Sequence, residues 1–391
     1  MILMSHKNNT QEINTIEELR QIEPEWNALL AKSESPTAYL TYEWLTTWWS
    51  CFKTPNKKLL ILAVRDNTEL IGLAPLMVVE YSIAGIPLRK IEFLSMMRFA
   101  YSPSNLAGSL DFIIKTGRHK EVLSSIISYL KNNIKGWLYL RLHPISSDSS
   151  SISVLEYMAK EQRFSFHRRI VFQNVRIPID TTWEEYCLQR GQNFLKKFKS
   201  LEKKFTQLGE LRYLDITSPT DFESTYNTLT EIEARSWKSK HGLQVYHSMY
   251  KNFFPKLAKV CSENDMLRLW ILELNGKGIA YDLSITYSNK IESLISTYDK
   301  SYAKYSPGHL LSYHAFYIYF QEKLREINLL WGELGAKSKW TSTFHKHDEI
   351  FIFNRGFIPK MLYLIFHRIK FYRIYRFFAN NYYYFKNTHG F

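Results

Sequence analysis

Two stretches of this chain align without a gap at an offset of 208 residues. "LAVRDNTELIGLAPLMV" lies over "WILELNGKGIAYDLSIT", so that Ile71-Gly72 meets Ile279-Ala280. Each stretch is a pair of β-leaning runs around a turn, Asp66-Asn67-Thr68 in the first and Asn275-Gly276 in the second. The second is the dipeptide of a tight two-residue hairpin. The flanks repeat as well. Residues 16–32 and 41–52 carry apolar side chains at helical spacing before the first hairpin, and residues 219–240 and 245–261 do so before the second. A shared turn and a shared element order predict two copies of one α/β unit. Two unrelated hairpins would give the same local pattern, and that alternative stays open at this point.

After the first hairpin the spacing predicts a helix over 117–133, a buried strand in "GWLYLRLHPI" and a helix over 151–163. The segment 190–205 joins the copies. Phe194, Leu195, Phe198, Leu201 and Phe205 form one face of a helix, with Lys196, Lys197, Lys199, Lys203 and Lys204 around the rest. That face is either a solvated surface or a docking site for an acidic partner. The chain divides into a flexible N-terminus at 1–13, a first domain at 14–180, a second at 181–355 and a basic, aromatic tail at 356–391.

A net charge of +14 over 391 residues is unevenly placed, since no Asp or Glu occurs from Phe351 to Phe391. Acidic partners are implied: nucleic acid, an anionic membrane face, an acidic carrier or a phosphorylated cofactor. The tail reads either as an in-plane membrane-surface helix or as a helix packed on the protein with arginines at its rim. No apolar run is long enough to span a bilayer. The start lacks the pattern of a secretory signal, and Cys51, Cys187 and Cys261 are far apart. A cytoplasmic protein, peripheral at most to the inner membrane face, is the expectation.

The densest chemistry follows the second hairpin, in "STYDKSYAKYSPGHLLSYHAF". Ser306 reads as an N-cap, Pro307 as a first-turn residue and Gly308 as a cleared surface at a helix start. Such a start is either an ordinary turn or an anion site. His309, in the first turn, serves either as a neutral base or as an exposed cap residue. His345 and His347 share a strand face with Asp348 beside them, but no third ligand accompanies them, so no metal is expected.

These motifs resemble the two-copy GNAT proteins grouped as cellulose- and exopolysaccharide-associated acetyltransferases (the CelD/BcsL group), relatives of the FemABX aminoacyl transferases. The first half matches through "EWNALL", "YEWLTTWW" and "LIGLAPL". The second matches through "EIEARSWKSKHG", "YDKSYAKYSPGHLL" and "WGELGAKSKWTS". The resemblance implies an α/β fold of two tandem GNAT-like domains, each a mixed twisted sheet flanked by helices. It also implies acyl transfer from acetyl-CoA, or another acyl-CoA, to an amine or hydroxyl of a sugar or cell-envelope precursor, with no metal. In that frame Glu233 or Asp299 is the base and Tyr298 the acid. Ser306, Pro307, Gly308 and His309 hold the cofactor, while Trp237, Lys238, Lys337 and Trp340 contact substrate. Ala336 stands where relatives often have tyrosine, and the repeated-glycine pyrophosphate loop is absent. Two rivals follow: an aminoacyl transferase using aminoacyl-tRNA, and an idle scaffold for polysaccharide synthesis at the membrane.

Overall fold

The computed structural model describes residues 9–34, 36–83, 86–96, 107–241, 245, 250–331 and 334–368. The first half runs β1 (Asn9–Ile13), α1 (Ile16–Gln21), α2 (Glu23–Ala31), α3 (Tyr42–Phe52), β2 (Lys57–Asp66) and β3 (Glu69–Ile83). It continues with β4 (Ile86–Phe93), β5 (Ile113–Ile114), α4 (His119–Asn133), β6 (Trp137–Ser146), α5 (Ser150–Glu161) and β7 (Ser165–Pro178). Two connecting helices follow, α6 (Trp183–Gln189) and α7 (Asn193–Thr206). The second half comprises β8 (Leu211–Ile216), α8 (Pro219–Arg235), α9 (Phe253–Glu263), β9 (Leu267–Leu274), β10 (Lys277–Tyr287) and β11 (Lys290–Tyr298). It closes with α10 (Pro307–Gln321), β12 (Glu326–Asn328), α11 (Leu334–Lys337), β13 (Thr343–Phe353) and α12 (Phe357–Arg368).

Both expected hairpins form, β2–β3 and β9–β10, and both halves follow the same order. The strands make one sheet, ordered β1-β2-β3-β4-β6-β13-β7-β12-β11-β10-β9-β8, with β5 paired to β3. That order is symmetric about the β13–β7 boundary. Each half ends its parallel portion with β6 or β12 and then receives the last strand of the other half. The two halves are therefore tandem units of one design that exchange a strand. Their helices also pack together: Phe253 of α9 lies edge-on to Trp44 of α3, with ring centroids 5.4 Å apart.

Three local expectations change. Residues 9–13, expected to be flexible, pair with β2, because Ile13 is fully buried and fixes the register. The helix expected over 16–32 breaks at Ile22, which caps α1 and precedes Pro24 at the start of α2. Ser306 stands at the N-cap of α10, but in a left-handed conformation (φ 53°) and with no side-chain cap hydrogen bond.

Of the tail, α12 packs on the sheet, where Phe366 meets Phe351 and Phe353 at centroid distances of 4.9 and 5.7 Å. Phe357, Ile358 and Met361 remain exposed. Residues 369–391 lie outside the described part. Among the described residues, no helix is long and apolar enough to cross a membrane.

Candidate active site

The decisive geometry is where β11 leaves β12. The two strands pair in parallel only over Lys290–Glu292 with Glu326–Asn328, while β11 continues to Tyr298. The register of β11 against β10 also slips, from Ser284↔Ser293 to Leu283↔Ile295, which leaves Leu294 as an extra bulged residue. Bulges bend a strand and re-aim its groups. The result is a wedge between β11 and the chain after β12. The first half has no counterpart: β4 pairs with β6 through Glu92 and ends at Phe93.

Lys337 holds the far wall of the wedge. Its Nζ donates to the carbonyls of Leu329 (2.5 Å), Leu330 (3.4 Å) and Trp331 (2.5 Å), just past the end of β12. Burial pulls its pKa down to about 8, against the pull of Asp282. Expected at the substrate, Lys337 is thus a brace for the segment that opens the site. On the near wall, Lys238 donates to the carbonyl of Ser296 at 3.2 Å, on the part of β11 that β12 does not cover.

At the vertex sits Glu292, a residue that motif matching did not single out. It is almost fully buried on the last pair of the parallel ladder. Its Oε2 accepts from Asn328 Nδ2 at 2.8 Å and from the Tyr39 hydroxyl at 3.2 Å. Burial pushes its pKa up to about 7, with the charge of Arg176 opposing. That value suits a general base at neutral pH. The signal was in the sequence: Lys-Ile-Glu occurs at 90–92 and again at 290–292, an offset of 200. In the first half the equivalent Glu92 is ion-paired to Lys90 at 2.7 Å and Arg141 at 3.2 Å. In the second, Asn328 stands where Arg141 stands in the first, so the carboxyl meets an amide instead of a cation.

The three groups expected to be catalytic, Glu233, Tyr298 and Asp299, each have contacts of their own. Glu233, on α8, is fully buried and accepts from the Tyr281 hydroxyl at 2.9 Å. Asp299 is committed to structure: one oxygen accepts from the Ser301 N–H at 2.9 Å, and the other pairs with Arg235 Nε at 2.7 Å. Burial would raise its pKa, yet the Ser301 and Arg235 bonds hold it below the ordinary carboxylate range. A carboxylate so engaged is a poor proton acceptor. Tyr298 ends β11 beside the start of α10, where a Cβ on Gly308 would lie 3.3 Å from its Cδ1.

The start of α10 opens on a cleft of about 300 Å³ lined by Arg190, Phe194, Lys197, Phe198, His309, Lys339 and Trp340. Trp340, expected at the substrate, is buried and stacks on Phe198 at 5.4 Å as the cleft wall. Burial, then Lys339 and Lys197, pull the His309 pKa down to about 4, so its ring is neutral at physiological pH. Phe198, Leu201 and Phe205 bury the apolar face of α7, as its pattern implies, and its lysines face solvent. Trp237 keeps 47% of its surface exposed, away from this cleft's lining. Gly242 and Gly332 lie outside the described residues, as does the side chain of Ala336. Among the described residues, no group of three or more His, Cys, Asp or Glu is gathered to hold a metal.

Residues 192–338 match the family model described as an acetyltransferase (GNAT) domain. No curated protein matches the chain significantly. Among solved structures, FemX is similar over 91% of this chain and 99% of its own, at 11% identity and a TM-score of 0.62. A protein of unknown function from Bacteroides thetaiotaomicron VPI-5482 is similar over 85% and 97%, at 14% identity and a TM-score of 0.53. The C-terminal domain of a putative lysylphosphatidylglycerol synthetase from Agrobacterium fabrum is similar over 88% and 94%, at 8% and 0.51. The class is therefore a tandem GNAT fold whose second unit carries the matched acetyltransferase domain.

Proposed function

We propose that this protein transfers an acyl group, acetyl from acetyl-CoA, to an amine or hydroxyl of a sugar or cell-envelope/exopolysaccharide precursor. One observation carries the reading: the wedge between β11 and β12 has Glu292 at its vertex, and α10, the helix after β11, starts at a cleft that holds Arg190, Lys197 and Lys339. Arg190, Lys197 and Lys339 bind the donor's phosphates there, aided by the helix dipole. The pantetheine arm lies along residues 293–298, whose backbone groups are not taken up by β12. An N–H of that segment polarises the thioester carbonyl, an effect worth roughly 3–4 kcal/mol for one oxyanion donor.

The acceptor enters from the face that carries Glu292. Its nitrogen or oxygen attacks the thioester carbonyl; the new C–N or C–O bond forms as the C–S bond breaks. Glu292 takes the acceptor proton, and the Tyr298 hydroxyl protonates the departing thiolate. Asp299 orders the turn before α10 and takes no proton. The exposed Phe357, Ile358 and Met361 of α12, next to Lys360, support contact with the inner membrane face, where such precursors are assembled.

The exposed lysines of α7 favour one second reading, aminoacyl transfer from aminoacyl-tRNA. Calorimetric titration with acetyl-CoA and with charged tRNA at two salt concentrations separates the two. Saturable acetyl-CoA binding, abolished by Gly308→Glu, supports the acetyltransferase. Salt-sensitive tRNA binding without CoA binding replaces it.

A further inference from the structure

The face of the sheet that carries Glu292 continues as a polar row across the strand-exchange junction. Glu292 pairs across to Asn328, Asn328 to Arg176, and Asn174, two residues before Arg176, to His345. Lys290 lies two residues before Glu292 and so shares its face. In the first half, the corresponding row is closed internally: Lys90 and Arg141 hold Glu92, and Arg141 and Arg169 hold Glu349.

The second half holds its cations more loosely, and His345 is already engaged by Ser146 at 2.7 Å and Asp148 at 3.5 Å. Among the described residues, Lys290 makes no ion pair. Arg176 Nε stands 3.6 Å from Glu326 Oε1 and has no hydrogen-bond partner. Asn174 Oδ1 and His347 Nε2, both on fully buried residues of the same row, also lack partners. Buried polar atoms are seldom left so in a folded protein. Arg176 keeps 21% of its side-chain surface open, so this part of the row is reachable from solvent.

Building on the acyl-transfer reading, we propose that Lys290 and Arg176 bind a phosphate on the acceptor. The spacing sets the acceptor's size. Two residues along a strand span roughly 7 Å, and two strands across roughly 10 Å. The reacting amine or hydroxyl at Glu292 and the phosphate are therefore roughly 7–10 Å apart, the dimension of a phosphorylated amino sugar rather than of a polymer end. The counterpart in the first half, whose cations are all held in short ion pairs, binds no such group.

The test is calorimetric titration of the full chain with glucosamine 6-phosphate, glucosamine 1-phosphate and phosphoethanolamine, each against its unphosphorylated parent. Acetyl-CoA is titrated in parallel. The expected result is at least tenfold tighter binding of a phosphorylated amino sugar than of glucosamine. That preference falls at least tenfold in Arg176→Gln and in Lys290→Gln, while acetyl-CoA binding is kept as the sign of an intact fold. Lys290→Gln carries the test alone should Arg176→Gln fail to fold. Equal affinity for phosphorylated and plain sugars, or a phosphate preference that both variants retain, overturns the proposal. Phosphate binding without acetyl-CoA binding keeps this site and removes the CoA-donor reading.

Discussion

Tyr39 and Glu292 are 253 residues apart in sequence, and the hydroxyl of one donates to the carboxylate of the other at 3.2 Å. The first unit thus supplies a group to the vertex of the second unit's wedge. A copy without a wedge of its own thereby contacts the vertex of the copy that has one. That contact also makes the protonation of Glu292 depend on both halves.

Glu292→Gln is expected to lower kcat/KM by about 10²–10⁴-fold, the span of a lost general base. With the pKa of Glu292 near 7, wild-type kcat/KM should rise with pH through about 7 as the carboxyl deprotonates. The Tyr39 hydrogen bond favours the carboxylate, so Tyr39→Phe should move that limb to higher pH. A pH–rate profile in which Tyr39→Phe and the wild type share one limb would count against this coupling.

The cleft at α10 predicts salt-sensitive donor binding. Lys197→Glu and Lys339→Glu should each weaken donor affinity about tenfold at low salt, and by less at high salt, where screening removes the difference. Lys203→Glu, on the same helix but absent from the cleft lining, should leave affinity nearly unchanged. Titrating acetyl-CoA into the three variants makes the comparison.

Lys337→Met removes a donor shared by the carbonyls of Leu329, Leu330 and Trp331. Losing a charged hydrogen bond of this kind costs about 1.5–3 kcal/mol, read as a shift in the denaturation midpoint. The pH dependence has a definite sign. The folded pKa is near 8, below the ordinary lysine value of 10.5, so the burial penalty is absent above about 10.5 and grows as pH falls to about 8. Wild-type stability should therefore gain a rising component between those values that Lys337→Met lacks.

Gly72 sits in β3 against α4, and a Cβ there would lie 2.2 Å from Val122 Cγ1. Gly72→Ala should destabilise by about 1–3 kcal/mol through overpacking. Val122→Ala should recover part of that loss in the double variant, a non-additivity that denaturant titration can measure.

Much of this was legible in the chain. The hairpins announced themselves through Asn67 and Asn275-Gly276, because turns with positive φ restrict residue type: both asparagines take φ near 52–53°. The amphipathic stripe of α7 marked its buried face. Strand exchange left no such trace, since β7 and β13 satisfy the same alternation whichever neighbour they take. Glu292 escaped for a related reason. A carboxylate inside an apolar strand makes sense only once Tyr39 and Asn328 are beside it, and neither is near in sequence. Asp299 is the opposite case: the motif that holds it is conspicuous in sequence, while its cap on Ser301 and its ion pair with Arg235 are visible only in the fold.

The strand exchange also has a consequence for biosynthesis. The slot between β6 and β7 is filled by β13, whose last residue is Phe353 of 391. A nascent chain therefore carries two unpaired strand edges, each able to recruit a neighbouring chain, until β13 has been made. The first half cannot be finished before the second. For this molecule the order of synthesis and the order of completion are not the same, and truncation anywhere before β13 leaves the earlier half open as well as the later one.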